Sequence, residues 1–319
     1  MNAVKEMPMS EIPIIIAFDA NYLMPASVML TSLFKNAAAD TVYRVFIFAD
    51  NETKQKAEQK IAETREKDAR HTIKWLDPKE NFSNAKNRNH LTTPNYYRFL
   101  IPDFLKEYNK ALWLDVDMII KKDLSELFAT NLDGFYLGAV RIGLQNASVQ
   151  QVPSSDYFNA GLLLMNLELW RKDQVAKKAR QLIEENDFSC PTQDPMNLVG
   201  YKKTVFLSPI YNVYISPKSM KEKRKREYLA FHGYPSFAKL IDDAAVLHFV
   251  ENIKPWNDEN YPEREEWLQY YRISPFKNEP LHYIERPSAL RKWTIKIVSM
   301  FILNKKKRRR FRERIWKKQ

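Results

Sequence analysis

"KALWLDVDMII" occupies residues 110–120. An apolar strand runs through Ala111, Leu112, Trp113 and Leu114, meets Asp115 and Asp117 with one valine between them, and turns apolar again at once. Two carboxylates this close repel each other, and burying either one uncompensated is costly. In an extended chain residues i and i+2 point to the same side, so Asp115 and Asp117 converge. A divalent cation at that point removes the repulsion. Hard oxygen donors suit Mg²⁺ or Mn²⁺, and phosphate oxygens suit the remaining positions. The alternative for the stretch alone is a turn with two solvated acids.

The flanking sequence repeats the pattern of strand followed by acid. "IPIIIAF" (12–18) reads as a buried parallel strand closed by Asp19, and "YRVFIFAD" (43–50) as a second, closed by Asp50. "TIKWL" (72–76) is a third strand and 110–115 a fourth. Between them, 23–37 carries apolar residues at helical spacing, "ETKQKAEQKIAETREKDA" is a polar surface helix, and 94–105 is helical with a break at Pro102. Further strands are expected at 135–140, 160–166, 203–207 and 244–250, with a helix over 168–186 and polar loops at 81–93, 141–157 and 218–228. This alternation predicts an α/β fold around a mostly parallel sheet. Ligands of open sheets bind beyond the carboxyl ends of the strands, where Asp19, Asp50 and Asp115 fall. An aspartate after a strand also serves as a helix cap, and that is the reading preferred for Asp50.

The chain has 319 residues, 45% hydrophobic, enough for a sizeable core. One cysteine, Cys190, excludes an internal disulfide and fits a reducing compartment. The first residues lack the apolar region of a signal peptide, and no apolar run is long enough to span a bilayer. Of a net charge of +12, residues 286–319 carry +13, from 14 Lys and Arg against Glu313, which leaves −1 for all the rest. A nearly neutral body thus carries a basic tail, and its apolar run "IKIVSMFIL" with Trp316 and Phe311 favours an anionic lipid surface over nucleic acid. The expected organisation is a catalytic domain over 1–285 and a membrane-association tail over 286–319. With six glycines there is no glycine-rich phosphate loop, so a cation must serve any bound phosphates.

"VLHFVENIKPW" (246–256) sets His248 at the end of an apolar strand with Lys254 six residues on. An imidazole beside two carboxylates favours Mn²⁺ over Mg²⁺, and Lys254 suits a diphosphate as a point charge. Together with "AFDANY" (17–22), "NYYRFLIPDFL" (95–105), "LWLDVDMII" (112–120), "YFNAGLLLMNLELWR" (157–171) and "TQDPMNL" (192–198), this stretch resembles glycosyltransferase family 8 over about three quarters of the chain. That family comprises retaining UDP-sugar transferases, among them bacterial lipopolysaccharide and lipooligosaccharide galactosyl- and glucosyltransferases.

The resemblance implies a single Rossmann-like domain of GT-A type with helices on both faces. It implies that Asp19 and Asn21 bond the uracil and ribose, that Tyr22 stacks on the base, and that Arg98 lies near the sugar or its phosphates. Asp115, Asp117 and His248 hold Mn²⁺ (or Mg²⁺) against the UDP diphosphate, and Lys254 holds a phosphate. Asn159 positions the donor sugar and Gln193 lies beside the anomeric carbon. The activity implied is transfer of galactose or glucose from a UDP-hexose donor to a saccharide or glycolipid acceptor, and the basic tail over 286–319 predicts docking at the cytoplasmic face of a membrane. The chain departs from the family at Thr192 and at Glu251, where an acid and a glycine are usual, and at Arg141–Ile142, where an aspartate often stands. The rival readings are a degenerate transferase, a phosphatase using the same two aspartates, and a membrane- or nucleic-acid-binding protein whose function is its tail.

Overall fold

The computed structural model describes residues 10–65, 68–78, 93–143 and 149–284. The basic tail and the loop at 81–92 lie outside the described residues. The described residues form ten strands: β1 Ser10–Ala17, β2 Thr41–Phe48, β3 Thr72–Leu76, β4 Lys110–Leu114, β5 Met118–Ile120, β6 Leu137–Ala139, β7 Leu162–Asn166, β8 Thr204–Phe206, β9 Val213–Ile215 and β10 Val246–Phe249. They form two sheets. The larger has the order β3-β2-β1-β4-β7-β6-β8, and β7 runs antiparallel to both its neighbours while the other pairings are parallel.

Both faces of the large sheet are covered, which is why its central strands read as unbroken apolar runs. Ile14, Ile16, Leu112 and Leu114 pack with Leu30 and Leu33 of the helix Leu23–Lys35 on one face. Ile15, Ala111, Trp113 and Leu163 pack with Tyr96, Trp170 and Ile183 on the other. Each fully buried large apolar side chain contributes roughly 1.5–3 kcal/mol, so β1 and β4 are held at fixed depth. The helix Asn51–Glu63 buries only Thr53, Ala57 and Ile61, one stripe at i, i+4, i+8, in keeping with its polar composition.

Four expectations change in detail. The strand expected at 244–250 is not in the large sheet but pairs with the apolar "MII" after the two aspartates in a second one, β5-β10-β9. The helix expected over 168–186 is two helices, Leu167–Lys172 and Val175–Glu185, separated at Gln174, whose φ of 53° interrupts the helix. Residues 94–105 are a 3₁₀ segment, Thr93–Phe99, followed by one α turn, Ile101–Phe104. The basic 218–228 stretch, expected as a loop, holds most of the helix Glu222–His232, which ends at Gly233 in the left-handed region. Polarity concealed that helix: it buries none of its residues fully and docks through partly buried Tyr228 and Leu229.

Candidate active site

The two sheets meet at the aspartate pair. Asp115 follows β4, where its N–H donates to the Gly161 carbonyl at 2.8 Å. Asp117 precedes β5, and its carbonyl accepts from Phe249 N–H at 2.9 Å. Antiparallel pairing of β5 with β10 sets His248 opposite Met118, beside Asp117. Asp115, Asp117 and His248 thereby each present a donor atom within 4.8 Å of the others.

The two carboxylates have opposite surroundings. Asp115 Oδ1 accepts from Trp113 Nε1 at 2.8 Å and from Arg98 Nη2 at 3.2 Å. Burial nevertheless pushes the Asp115 carboxyl up, against the lowering effect of Arg98. Asp117 is also pushed up by burial, but the Lys254 ammonium, the largest opposing influence, helps hold the carboxyl well below the usual range. Lys254 Nζ donates to Asp117 Oδ2 at 2.5 Å and to the Phe249 carbonyl at 2.7 Å. Two of the three ammonium N–H groups are thus used. Asp117 Oδ1 is buried and accepts no hydrogen bond. It faces His248 Nε2 at 3.1 Å.

A chain of amides lies behind the imidazole. His248 Nδ1 meets Asn212 Oδ1 at 2.9 Å, and Asn212 Nδ2 donates to Asn159 Oδ1 at 3.0 Å. Asn159 Nδ2 donates to Gln193 Oε1 at 2.8 Å, and Gln193 Nε2 to the Tyr157 hydroxyl at 3.2 Å. Tyr157 donates in turn to the Asp194 carboxylate. Gly161 leaves room for this packing: a Cβ there would lie 2.4 Å from His248 Cε1 and 2.9 Å from Asp115 Oδ2.

On the opposite side Asp19 caps the turn Ala20–Tyr22, accepting from Asn21 N–H at 2.9 Å. Tyr22 meets Trp256 edge to face, with ring centroids 6.1 Å apart. Its hydroxyl is pushed up to about 12 by burial and then by Asp117, Asp19 and Asp115. Contacts therefore join Asp115, Asp117, His248, Lys254, Asn159 and Gln193 into one cluster, and Tyr22 stands close enough to feel the charges of Asp117, Asp19 and Asp115, with Asn21 in the capped turn. Asp50 caps the helix Asn51–Glu63 through Thr53 N–H at 2.7 Å. Arg98 is buried behind Asp115, bonded also to the Asn95 and Ala160 carbonyls and stacked on Trp113.

Sequence reasoning missed Asn212 and Tyr157 as parts of the site. Asn212 stands in "YNV" with no spacing that singles it out, and Tyr157 opens "YFNAG" without a role attached to it. Glu251, where the family often has glycine, has φ 76°. Its carboxylate turns onto Ser216 Oγ at 3.1 Å and Lys218 Nζ at 3.2 Å, so its charge is paired. Arg141, at the missing aspartate, lies over the rings of Phe206 and Phe231.

The chain is 27% identical over 265 residues to General stress protein A of Bacillus subtilis, covering 79% of this chain and 90% of that one. It is 31% identical over 198 residues to a lipopolysaccharide 1,2-glucosyltransferase of Escherichia coli, covering 58% and 56% respectively. It thus spans most of the first relative and about half of the second. The fold superposes on the galactosyltransferase LgtC, solved with donor and acceptor sugar analogues, with a TM-score of 0.64 at 21% identity over 82% of this chain and 96% of that one. The family model for glycosyl transferase family 8 matches residues 13–260, from β1 to beyond β10 and across every element of the cleft, so the chain belongs to glycosyl transferase family 8.

Proposed function

We propose that the chain is a retaining hexosyltransferase that moves glucose or galactose from a UDP-sugar to a saccharide or glycolipid acceptor, with Mn²⁺ held by Asp115, Asp117 and His248. The observation that carries this is the facing pair at 3.1 Å: a buried carboxylate oxygen without a hydrogen bond opposite an imidazole nitrogen. A cation between them satisfies both, and the mixed oxygen and nitrogen donors suit Mn²⁺ better than Mg²⁺. Gly161 fits the same reading, since a Cβ would fill the place where these groups meet. The ion would act as a Lewis acid on the diphosphate leaving group.

The chain's own residues take the remaining tasks. Asp19 and Asn21 bond the uridine and Tyr22 stacks on its base. The third N–H of Lys254 reaches the diphosphate as charge builds on it. Arg98 acts through Asp115, holding that carboxylate in place. Asn159 and Gln193 flank the donor sugar. Gln193 Oε1 already accepts from Asn159 Nδ2 at 2.8 Å and from Ala160 N–H at 3.2 Å. An amide oxygen so engaged is a poor nucleophile, which favours attack by the acceptor hydroxyl on the face from which UDP leaves. The anomeric configuration is then retained.

The acceptor is assigned to the neighbouring cleft, about 170 Å³ in volume and bordered by Tyr214, Ser216, Tyr228, Phe237 and Glu251. Tyr214 lies edge-on to His248, with ring centroids 5.8 Å apart, so the cleft adjoins the proposed metal site. Aromatic faces with hydroxyls between them match a saccharide. The domain division follows the charge: 1–285 is catalytic, and 286–319 docks the enzyme on an anionic cytoplasmic membrane surface where a lipid-linked acceptor is met. The test is a panel of UDP-sugars with Mn²⁺, scored by release of UDP through slow hydrolysis, which needs no acceptor. UDP release from UDP-glucose or UDP-galactose, abolished by EDTA and restored by Mn²⁺, is expected. No release from any UDP-sugar would leave a degenerate transferase as the better reading.

A further inference from the structure

We propose that Asn212 is a positioning residue that fixes His248 in the Nδ1–H tautomer, so that the Nε2 lone pair faces Asp117 before any cation arrives. The consequence for metal affinity rests on the reading of the site given above; the tautomer does not. The two neutral tautomers of His248 compete. Nε2 stands 3.1 Å from Asp117 Oδ1 without the alignment of a hydrogen bond, so an Nε2–H would gain the attraction of the carboxylate rather than a directed bond. Left to that contact alone, the imidazole would put its proton on Nε2 and offer no lone pair toward the carboxylates.

The amide chain decides otherwise, because its polarity is set at two backbone groups that can only donate. Gly161 N–H donates to Asn159 Oδ1 at 2.8 Å, and Ala160 N–H to Gln193 Oε1 at 3.2 Å. Asn159 must therefore present its oxygen to Gly161 and its NH₂ to Gln193. That oxygen also receives the Asn212 NH₂ at 3.0 Å, which turns the Asn212 oxygen toward His248 at 2.9 Å. Reversing any one amide would set donor against donor or acceptor against acceptor at a buried contact. With an oxygen opposite it, Nδ1 carries the proton. Nε2 is then a bare lone pair 3.1 Å from the unbonded Asp117 Oδ1. The network stores two acceptors face to face, an arrangement that only a cation or a proton between them satisfies. The chain continues through Gln193 to Tyr157 and Asp194, so the amide proposed to flank the sugar and the histidine proposed to bind the metal are oriented by one network.

The experiment uses the full chain, labelled with ¹⁵N-histidine and freed of metal. Long-range ¹H–¹⁵N correlation spectra are recorded at about pH 8.5, where an ordinary histidine with pKa ~6.5 is neutral. The His248 signal is identified by its loss in His248→Gln. Wild type should show Nδ1 protonated and Nε2 bare. Asn212→Leu removes the acceptor, so the proton should move to Nε2. Mn²⁺ affinity, read from the electron paramagnetic resonance of free Mn²⁺, should fall roughly 10–100-fold, the usual effect of losing a partner behind a metal ligand. A wild-type signal with Nε2 protonated overturns the proposal without any variant. A folded Asn212→Leu protein with unchanged tautomer and unchanged Mn²⁺ affinity also overturns it. A wild-type Nδ1–H signal in a protein that binds no Mn²⁺ upholds the tautomer and overturns the proposed metal site.

Discussion

Asp115 and Asp117 are one residue apart and are perturbed in opposite directions, which separates their effects on stability. The Asp117 carboxyl is held below its ordinary value chiefly by Lys254, against burial. Its stabilising contribution is therefore present above the unfolded value of ~3.9 and is lost as pH falls through the lower folded value. The Asp115 carboxyl is pushed up by burial. Its contribution has the other sign: it favours the fold below ~3.9 and is lost as pH rises through the folded value, so at neutral pH its charge is a burden. Urea unfolding in EDTA at neutral pH should therefore show Asp117→Asn losing roughly 3 kcal/mol, because buried Lys254 is left without its counter-charge. Asp115→Asn should cost less, because the burial of its charge offsets part of what its pairing with buried Arg98 contributes, while both variants lose Mn²⁺. The reverse order would contradict the account of the pair. Much of this site was legible in the sequence, since the aspartate spacing, His248 and Lys254 lie in runs that are otherwise apolar. The orienting amides were not, because an asparagine that bonds another side chain across 53 positions, as Asn212 does with Asn159, leaves no local pattern.

At the scale of elements the strands of the large sheet were readable from their apolar runs and terminal acids. The second sheet was legible only in β10, expected at 244–250. Its three strands span only three or four residues each, and β5 is separated from β4 by the aspartate turn itself. The helix Glu222–His232 escaped notice because its residues are chiefly charged, yet it closes one side of the proposed acceptor cleft. It is tied to the large sheet at His232, whose ring meets the Arg141 carbonyl at 3.1 Å. Burial, together with the nearby Arg141 charge and against the hydrogen bond to its carbonyl, pushes this imidazole down to about 4. The folded state thus binds fewer protons than the unfolded one between that value and ~6.5, so stability is present above ~6.5 and lost as pH falls toward about 4. Hydrogen exchange of residues 222–232, corrected for intrinsic rates, should show the helix opening more often at pH 5 than at pH 7. In His232→Gln that dependence should be reduced. Protection that is independent of pH in wild type would show that His232 does not tie the helix down.

For the whole molecule, the charge distribution and the metal site make separate claims. Residues 286–319 carry 14 of the 51 cationic side chains against one acid. At ~1 kcal/mol per basic residue near an anionic surface, even half of them would hold the enzyme there without insertion. Removing 286–319 should abolish sedimentation with anionic liposomes and leave UDP release unchanged. Full-length protein that ignores anionic liposomes at low salt would refute the anchor. Among the described residues no helix is long and apolar enough to cross a membrane. The central claim is that Asp115, Asp117 and His248 hold a divalent cation against a nucleotide diphosphate. The most direct test is calorimetric titration of the full chain with UDP, first with Mn²⁺ and then with EDTA. The account predicts saturable one-to-one binding with Mn²⁺ that disappears in EDTA and in Asp117→Asn. UDP binding of equal affinity with and without the metal would contradict it.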